Sequence, residues 1–302
     1  MSKKKVKAHE KDYGNTIVND LRNYLWENRR ADSTIDNYCR TAIWFLEFAG
    51  ITTKEEMMTL TKLVVRNFVE HMNNTSYENE QKYTVETVNN KIAGMNQLLG
   101  LYKLDYLKEK ALYCHRKTFI EDTEILTDED VSKLLNESKK SNYILYLALK
   151  SITQMGLRVS EIQFITVEAL NRGYIVVLNK GGMRKVPLPF DLIEELRNYC
   201  KANGITNGVI LSIRNNNAIN RSTIGRLMKT LAEKLGINTK KAHPHSLRHN
   251  FAMRYLRVYG QESISRLADI LGHRSIETTR VYLRDTLTNA ANSLTAKNLK
   301  IK

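Results

Sequence analysis

The chain has 302 residues, 47 of them Lys or Arg against 32 Asp or Glu, for a formal net charge of +15 at pH 7. That length exceeds one ordinary core and suits two domains of roughly 100 to 200 residues each. Hydrophobic residues at 42% and charged residues at 26% exclude wholesale disorder, and the positive surplus makes a polyanion, nucleic acid first, the partner to consider.

The surplus is uneven. Residues 1–121 carry 19 basic and 16 acidic side chains, and residues 122–302 carry 28 and 16. The positive field therefore belongs mainly to the second half, where it can hold phosphates. Cys39, Cys114 and Cys200 form no CxxC pair, so neither a zinc knuckle nor a disulfide framework is expected, and a reducing cytoplasm is the simplest compartment. The basic N-terminus has no apolar run behind it, which argues against a secretory signal. No run of about 18 apolar residues is present to span a membrane.

In chain order, residues 1–14 are polar and lysine-rich and read as a flexible basic arm. Residues 15–113 read as helical throughout. Ile17, Leu21, Tyr24 and Leu25 recur at three- and four-residue steps. Ser33 or Asp32 is placed to cap a second helix that stops at Gly50. Thr61 to Met72 and Thr84 to Tyr102 give two more, and no strand signal interrupts them. Residues 114–124 are mostly polar and read as a linker. Thr127, with acidic residues directly after it, starts the helices of residues 125–302. Tyr143 to Met155 is an apolar helix ended by Gly156. Gly173 to Leu178 is the best strand, Asn179 to Gly182 a tight turn, and Arg184 to Leu188 the return strand. After Pro189 the pattern is helical to the end, with residues 284–302 as a tail. The class is mostly α with a small antiparallel β-sheet: a helical domain followed by an α+β domain.

Basic residues gather at separated places: Arg158 in GLRVSE, Lys180 in the turn, His245, Arg248 and His249 in HSLRH, and His273 in LGH, with Tyr282 nine residues later. Each has a plain alternative. Arg158 can pair with Glu161 three residues on, Lys180 can be a solvated turn lysine, and Tyr282 can pack a core edge. His245 and His249 are four apart, but no glutamate between them makes HExxH, and Arg248 would repel a cation, so a metal is not expected. A helix beginning at Pro244 instead puts His245 and Arg248 at its N-terminus, which already favours an anion and makes a phosphate cradle.

Taken in this order, the series GLRVSE, hairpin lysine, HSLRH, LGH and tyrosine resembles the tyrosine recombinases, or phage integrases, most nearly their Xer-like simple-site members. The resemblance covers essentially the whole chain. It implies a helical core-binding (SAM-like) DNA-binding domain over 15–113 and a catalytic domain over 125–302. The implied reaction is site-specific DNA recombination through a 3′-phosphotyrosyl intermediate, with neither metal nor ATP nor any other cofactor. Tyr282 is then the nucleophile, Arg158 and Arg248 hold the non-bridging oxygens, and His245 helps accept the tyrosine proton. Lys180 protonates the leaving 5′-oxygen, His273 donates to the phosphate, and Glu161 holds Arg158. The hairpin departs from the family's pattern: Asn179 stands for the first glycine and the segment from Lys180 to Pro187 is one residue short, so Lys185 stays open as the acid. His249 is a neighbour in its motif, not a catalyst.

The partners so implied are double-stranded DNA sites and a tetramer on DNA, of this chain alone or with a paralogue, passing through a Holliday junction. The tail 284–302 would dock on a neighbouring protomer. Chromosome-dimer resolution, mobile-element integration or excision, and cointegrate resolution all fit. A DNA-relaxing topoisomerase of the related tyrosine-dependent type shares the chemistry. A catalytically silent DNA binder fits less well, because binding alone needs neither Tyr282 nor Lys180.

Overall fold

A computed structural model of the chain describes residues 7–74, 76–77, 81–114, 125–179, 182–214, 217–273 and 275–283. The chain divides into two units, Met1–Arg116 and Lys117–Lys302, each with its own core.

The first unit holds α1 (Thr16–Glu27), α2 (Asp32–Ala49), α3 (Lys54–Met57), α4 (Lys62–Asn74) and α5 (Val85–Leu101). Asn15 caps α1 by accepting from the Ile17 and Val18 amides. The apolar stripe of α1 (Ile17, Leu21, Leu25) packs with Ile35, Phe45, Phe68 and Met95 into one core. Each fully buried aliphatic or aromatic side chain there contributes about 1.5–3 kcal/mol. Three differences from the sequence reading stand out. The expected cap of α2 by Ser33 or Asp32 is not made; the Asp32 carboxylate lies 2.7 Å from His9 Nδ1 instead. The arm is packed from Lys7 onward, with Ala8 buried, His9 stacked on Trp26 at 3.8 Å and the Tyr13 hydroxyl donating to Asp36 at 3.0 Å. Third, two short antiparallel strands, β1 (Ser76–Tyr77) and β2 (Gln81–Lys82), pair between α4 and α5, too short to leave an alternating pattern.

The second unit opens with α6 (Asp128–Ser141), started by a capping box between Thr127 and Asp130. It continues through α7 (Tyr143–Met155), α8 (Val167–Arg172), strands β3 (Tyr174–Asn179) and β4 (Gly182–Pro187), and α9 (Phe190–Asn203). Strands β5 (Ser212–Arg214) and β6 (Asn217–Ala218) form a further small pair where an all-helical run was expected. Next come α10 (Arg221–Lys234), α11 (Pro244–Tyr259), α12 (Ile264–Leu271) and α13 (Ile276–Arg280), then a 3-10 turn, Val281–Leu283. The hairpin is antiparallel with Asn179 opposite Gly182 and Val177 opposite Arg184, so the described strand residues pair in unbroken register.

The main core of this unit collects α7 with the buried faces of α6, α8 to α11 and the hairpin. A smaller cluster joins Ala252 and Leu256 of α11, Leu267 and Leu271 of α12, and Tyr282. This second cluster fixes where the last described turn lies. No helix of the described residues is long and apolar enough to cross a membrane.

Candidate active site

The site begins where α7 stops. Gly156 ends that helix at φ +62, and a Cβ there would lie 2.5 Å from the Phe251 ring, so both conformation and space demand glycine. The chain leaves the turn extended at Arg158 and enters a 3-10 segment, Val159–Phe164. Three residues on, the buried Glu161 carboxylate takes the Arg158 amide at 2.8 Å and its Nη1 at 3.0 Å. The Arg158 side chain remains 38% exposed, and it lines a cleft of about 360 Å³.

The helix α11 supplies the opposite wall. His243 caps it by accepting from the Ser246 amide at 3.2 Å, and Pro244 fills the first helical position. His245, one residue into the first turn, opens onto the cleft beside Arg158, Arg221 and His243. One turn later Arg248 is 1% exposed. Its guanidinium donates to the Gly156 carbonyl at 2.7 Å, the Leu271 carbonyl at 2.8 Å and His273 Nε2 at 3.0 Å.

Short α12 acts through its C-terminal end. Helix ends leave carbonyls without partners and carry partial negative charge, and three arginines converge on these. Arg158 reaches the Leu271 and Gly272 carbonyls at 3.2 and 3.3 Å. Arg184, on β4, reaches the Ile270 carbonyl at 3.0 Å, and Arg248 shares Leu271. Gly272 turns the chain at φ +64, where a Cβ would lie 2.6 Å from the Arg184 guanidinium.

Past that turn, the His273 ring touches Thr279 Oγ1 through Nδ1 at 2.8 Å. A guanidinium only donates, so Nε2 accepts from Arg248 and the proton sits on Nδ1, directed at Thr279. Tyr282 is 4% exposed. Its ring lies 6.1 Å from His273 at an interplanar angle of 19° and meets His249 edge-on at 4.8 Å.

Electrostatics follow from this crowding of positive charge. Burial, then the neighbouring Arg158, pulls the Arg248 pKa down to about 10, so it stays charged at neutral pH. Burial and the adjacent Arg248 drop His273 to about 4. His245 is lowered by the protein packed around it and by Arg248, though its ring still opens to the cleft. Both imidazoles are therefore neutral near pH 7. Burial raises the Tyr282 phenol, and the charge of Arg248 offsets only part of that. Burial works to raise Glu161 too, but the hydrogen bonds from Arg184 and Arg158 outweigh it and hold the carboxyl below its ordinary value.

Of the residues picked from the sequence, Arg158, Glu161, His245, Arg248, His273 and Tyr282 thus gather in one region. Lys180 lies outside the described residues, as does the tail 284–302. Lys185 sits on the exposed face of β4, its ammonium 5.1 Å from the Tyr174 ring, opposite the face that carries Arg184. Among the described residues no three His, Cys, Asp or Glu side chains gather as a metal site would need. In the first unit Arg40 is held by Asp36 at 2.9 Å and Lys62 by Glu109 at 3.0 Å.

Sequence reasoning passed over Arg184, Arg221 and Thr279. Strand alternation offered a signal for the first: Arg184 and the buried Val186 are two apart and share the inner face.

Comparison with known proteins gives the family of the chain. The model of the phage integrase family matches residues 124–288. Tyrosine recombinase XerA of Pyrococcus furiosus is 27% identical over 96% of this chain and 96% of its own. A tyrosine recombinase of Pseudothermotoga lettingae is 30% identical over 88% of this chain and 93% of its own. Among solved structures, the XerH site-specific recombinase in a post-cleavage complex with palindromic difH substrate shares the fold at a TM-score of 0.67 and 18% identity, covering 97% of this chain and 91% of that one. The Tn1549 transposon integrase bound to transposon right end DNA does so at 0.66 and 15%, covering 92% and 98%. With a family model over more than half its length and a 30% identical relative matched across most of both chains, the chain belongs to the phage integrase family and is a tyrosine recombinase.

Proposed function

We propose that this recombinase cuts and rejoins duplex DNA by transesterification at Tyr282. The phenolic oxygen attacks the scissile phosphorus, the bond to the 5′-oxygen breaks, and a 3′-phosphotyrosyl link remains. Phosphodiester energy is kept in the link, so rejoining consumes neither ATP nor water. Arg158 and Arg248 hold the non-bridging oxygens with their forked donors. Neutral His245 accepts the phenol proton, which burial keeps on Tyr282 at neutral pH. Lys180 gives a proton to the departing 5′-oxygen, a role that rests on the motif alone. His273 supports the phosphate by donating from Nε2, which here accepts from Arg248, so that role requires Arg248 to turn away and the ring proton to pass from Nδ1 to Nε2. Four protomers, of this chain or with a paralogue, exchange strands pairwise through a Holliday junction. Double-stranded DNA is the partner; the similar Tn1549 integrase was solved in complex with transposon right end DNA and the XerH recombinase bound to palindromic difH substrate.

The observation that carries the reading is the meeting of two arginines from distant segments, Arg158 and Arg248, on one helix end beside His273 and Tyr282. The test is denaturant-stable capture. The full chain is incubated with sheared genomic DNA from its source, and covalent adducts are mapped by mass spectrometry. An adduct on the Tyr282 peptide, abolished in Tyr282→Phe while duplex binding persists, is the expected result. An adduct that survives Tyr282→Phe refutes the nucleophile.

A further inference from the structure

Arg184 has the geometry of a working part, yet the reaction above gives it nothing to do. Its Nη1 and Nη2 clasp Glu161 at 3.0 and 2.7 Å, one on each carboxylate oxygen, and its Nε holds the Ile270 carbonyl at 3.0 Å. Its side chain is only 12% exposed. Both of its Nη atoms are paired with the Glu161 carboxylate, whereas the equally enclosed Arg248 hydrogen-bonds only neutral acceptors, so Arg184 has less positive charge to offer a phosphate.

Glu161 is the point of control. Two of its four hydrogen bonds go to Arg158 and two to Arg184, and Arg248 Nη1 lies 3.9 Å away. The last torsion of a carboxylate is a broad one, and the two bonds from Arg158 hold it from one side only. Arg184 holds it from the other, each arginine bonding both oxygens. The same guanidinium ties β4 to the carbonyl turn before His273, so the hairpin is bonded both to Glu161 and to the end of α12.

We infer that Arg184 is a positioning residue for strand cleavage: it locks the Glu161 carboxylate, and through it the Arg158 guanidinium, in the orientation that meets the scissile phosphate. The inference rests on Arg158 acting on that phosphate. A fork is required, because a lysine offers one ammonium where three separate acceptors must be met.

The experiment compares single-turnover cleavage by wild type, Arg184→Ala, Arg184→Lys, Arg158→Ala and the Arg158→Ala/Arg184→Ala double variant. Each acts on a nicked site with either a phosphate or a methylphosphonate at the scissile position. Methylphosphonate removes one non-bridging charge and with it much of the need for Arg158. On phosphate, Arg184→Ala and Arg184→Lys should both be slowed roughly 10- to 100-fold, the range seen for partners that orient an active group, with duplex affinity unchanged. On methylphosphonate that deficit should shrink to a few-fold, and the double variant should be no slower than Arg158→Ala. An equal deficit on both substrates, an additive double variant, or full rescue by lysine overturns the inference. A second measurement needs no catalysis: arginine side-chain NMR of the DNA-free chain. Rotation of the Arg158 guanidinium should quicken in Arg184→Lys, and unchanged signals overturn the inference even if the full chain forms no adduct. Absence of a wild-type adduct, by contrast, counts against the proposed reaction.

Discussion

Replacing Glu161 by Gln should unsettle the second unit far more than one uncharged substitution ordinarily does. The carboxylate is 3% exposed and receives four hydrogen bonds, two on each oxygen. Glutamine keeps the shape but offers one oxygen, so whichever way its amide turns, two donors lose their acceptor. If the amide nitrogen replaces Oε2, the Arg158 amide and Arg184 Nη2 are stranded; if Oε1, both Nη1 groups are. Each stranded buried donor costs about 1–3 kcal/mol, and removing the charge from a buried ion pair costs about 3–5 kcal/mol in all. For a unit of this size 1 kcal/mol moves the melting temperature by about 2–4 °C, giving a drop of roughly 6–20 °C. The chain carries its own control. Trp26 and Trp44 are its two tryptophans, and both lie in the first unit. Tryptophan emission during heating should therefore report an unmoved transition, while far-ultraviolet dichroism shows the second unit melting early. A dichroism shift below about 3 °C would refute the claim that Glu161 balances the arginines.

The other expectations are quickly stated. His249 and His273 both lie at about 4 in the folded chain against an ordinary 6.5, so the unfolded chain binds more protons between those values. Stability should fall as pH drops through that window, by up to about 1.4 kcal/mol per pH unit for each imidazole; chemical denaturation of His249→Phe should show a slope shallower by one proton. Gly272→Ala forces a side chain into the left-handed region, at about 1–2 kcal/mol, and against Arg184, so melting should fall and cleavage slow together. Asn15→Ala removes the α1 cap and should cost about 1 kcal/mol, shifting the tryptophan transition and leaving the second one in place.

Much of this site was legible in the chain because its chemistry is written in short local spacings. Gly156 and Arg158 sit two apart because a helix must end before the arginine can turn into the cleft. His245 and Arg248 are three apart because they stand on neighbouring turns of one face of α11. The Leu271-Gly272-His273 run marks a helix end, which residue type alone reveals. What the sequence hid is long-range. Arg184 meets Glu161 across 23 positions and Ile270 across 86, and neither partner leaves a trace beside it. The strands of two or three residues were invisible for a different reason, since pairing rather than alternation defines them. The packing of residues 7–14 was missed because six of the eight are polar or glycine and show no apolar period, while the contacts are made by single side chains, Ala8, His9 and Tyr13 among them.

Four of the bonds that gather the three arginines end on main-chain oxygens of residues 270–272. Backbone atoms do not change when a codon does. The helix that supplies them is accordingly free to drift in sequence on its outer face, provided it keeps its length and still finishes at a glycine. A single inserted or deleted residue within α12 would rotate those oxygens by about 100° and dismantle the cluster at once. Relatives should therefore vary there in letters while staying fixed in count.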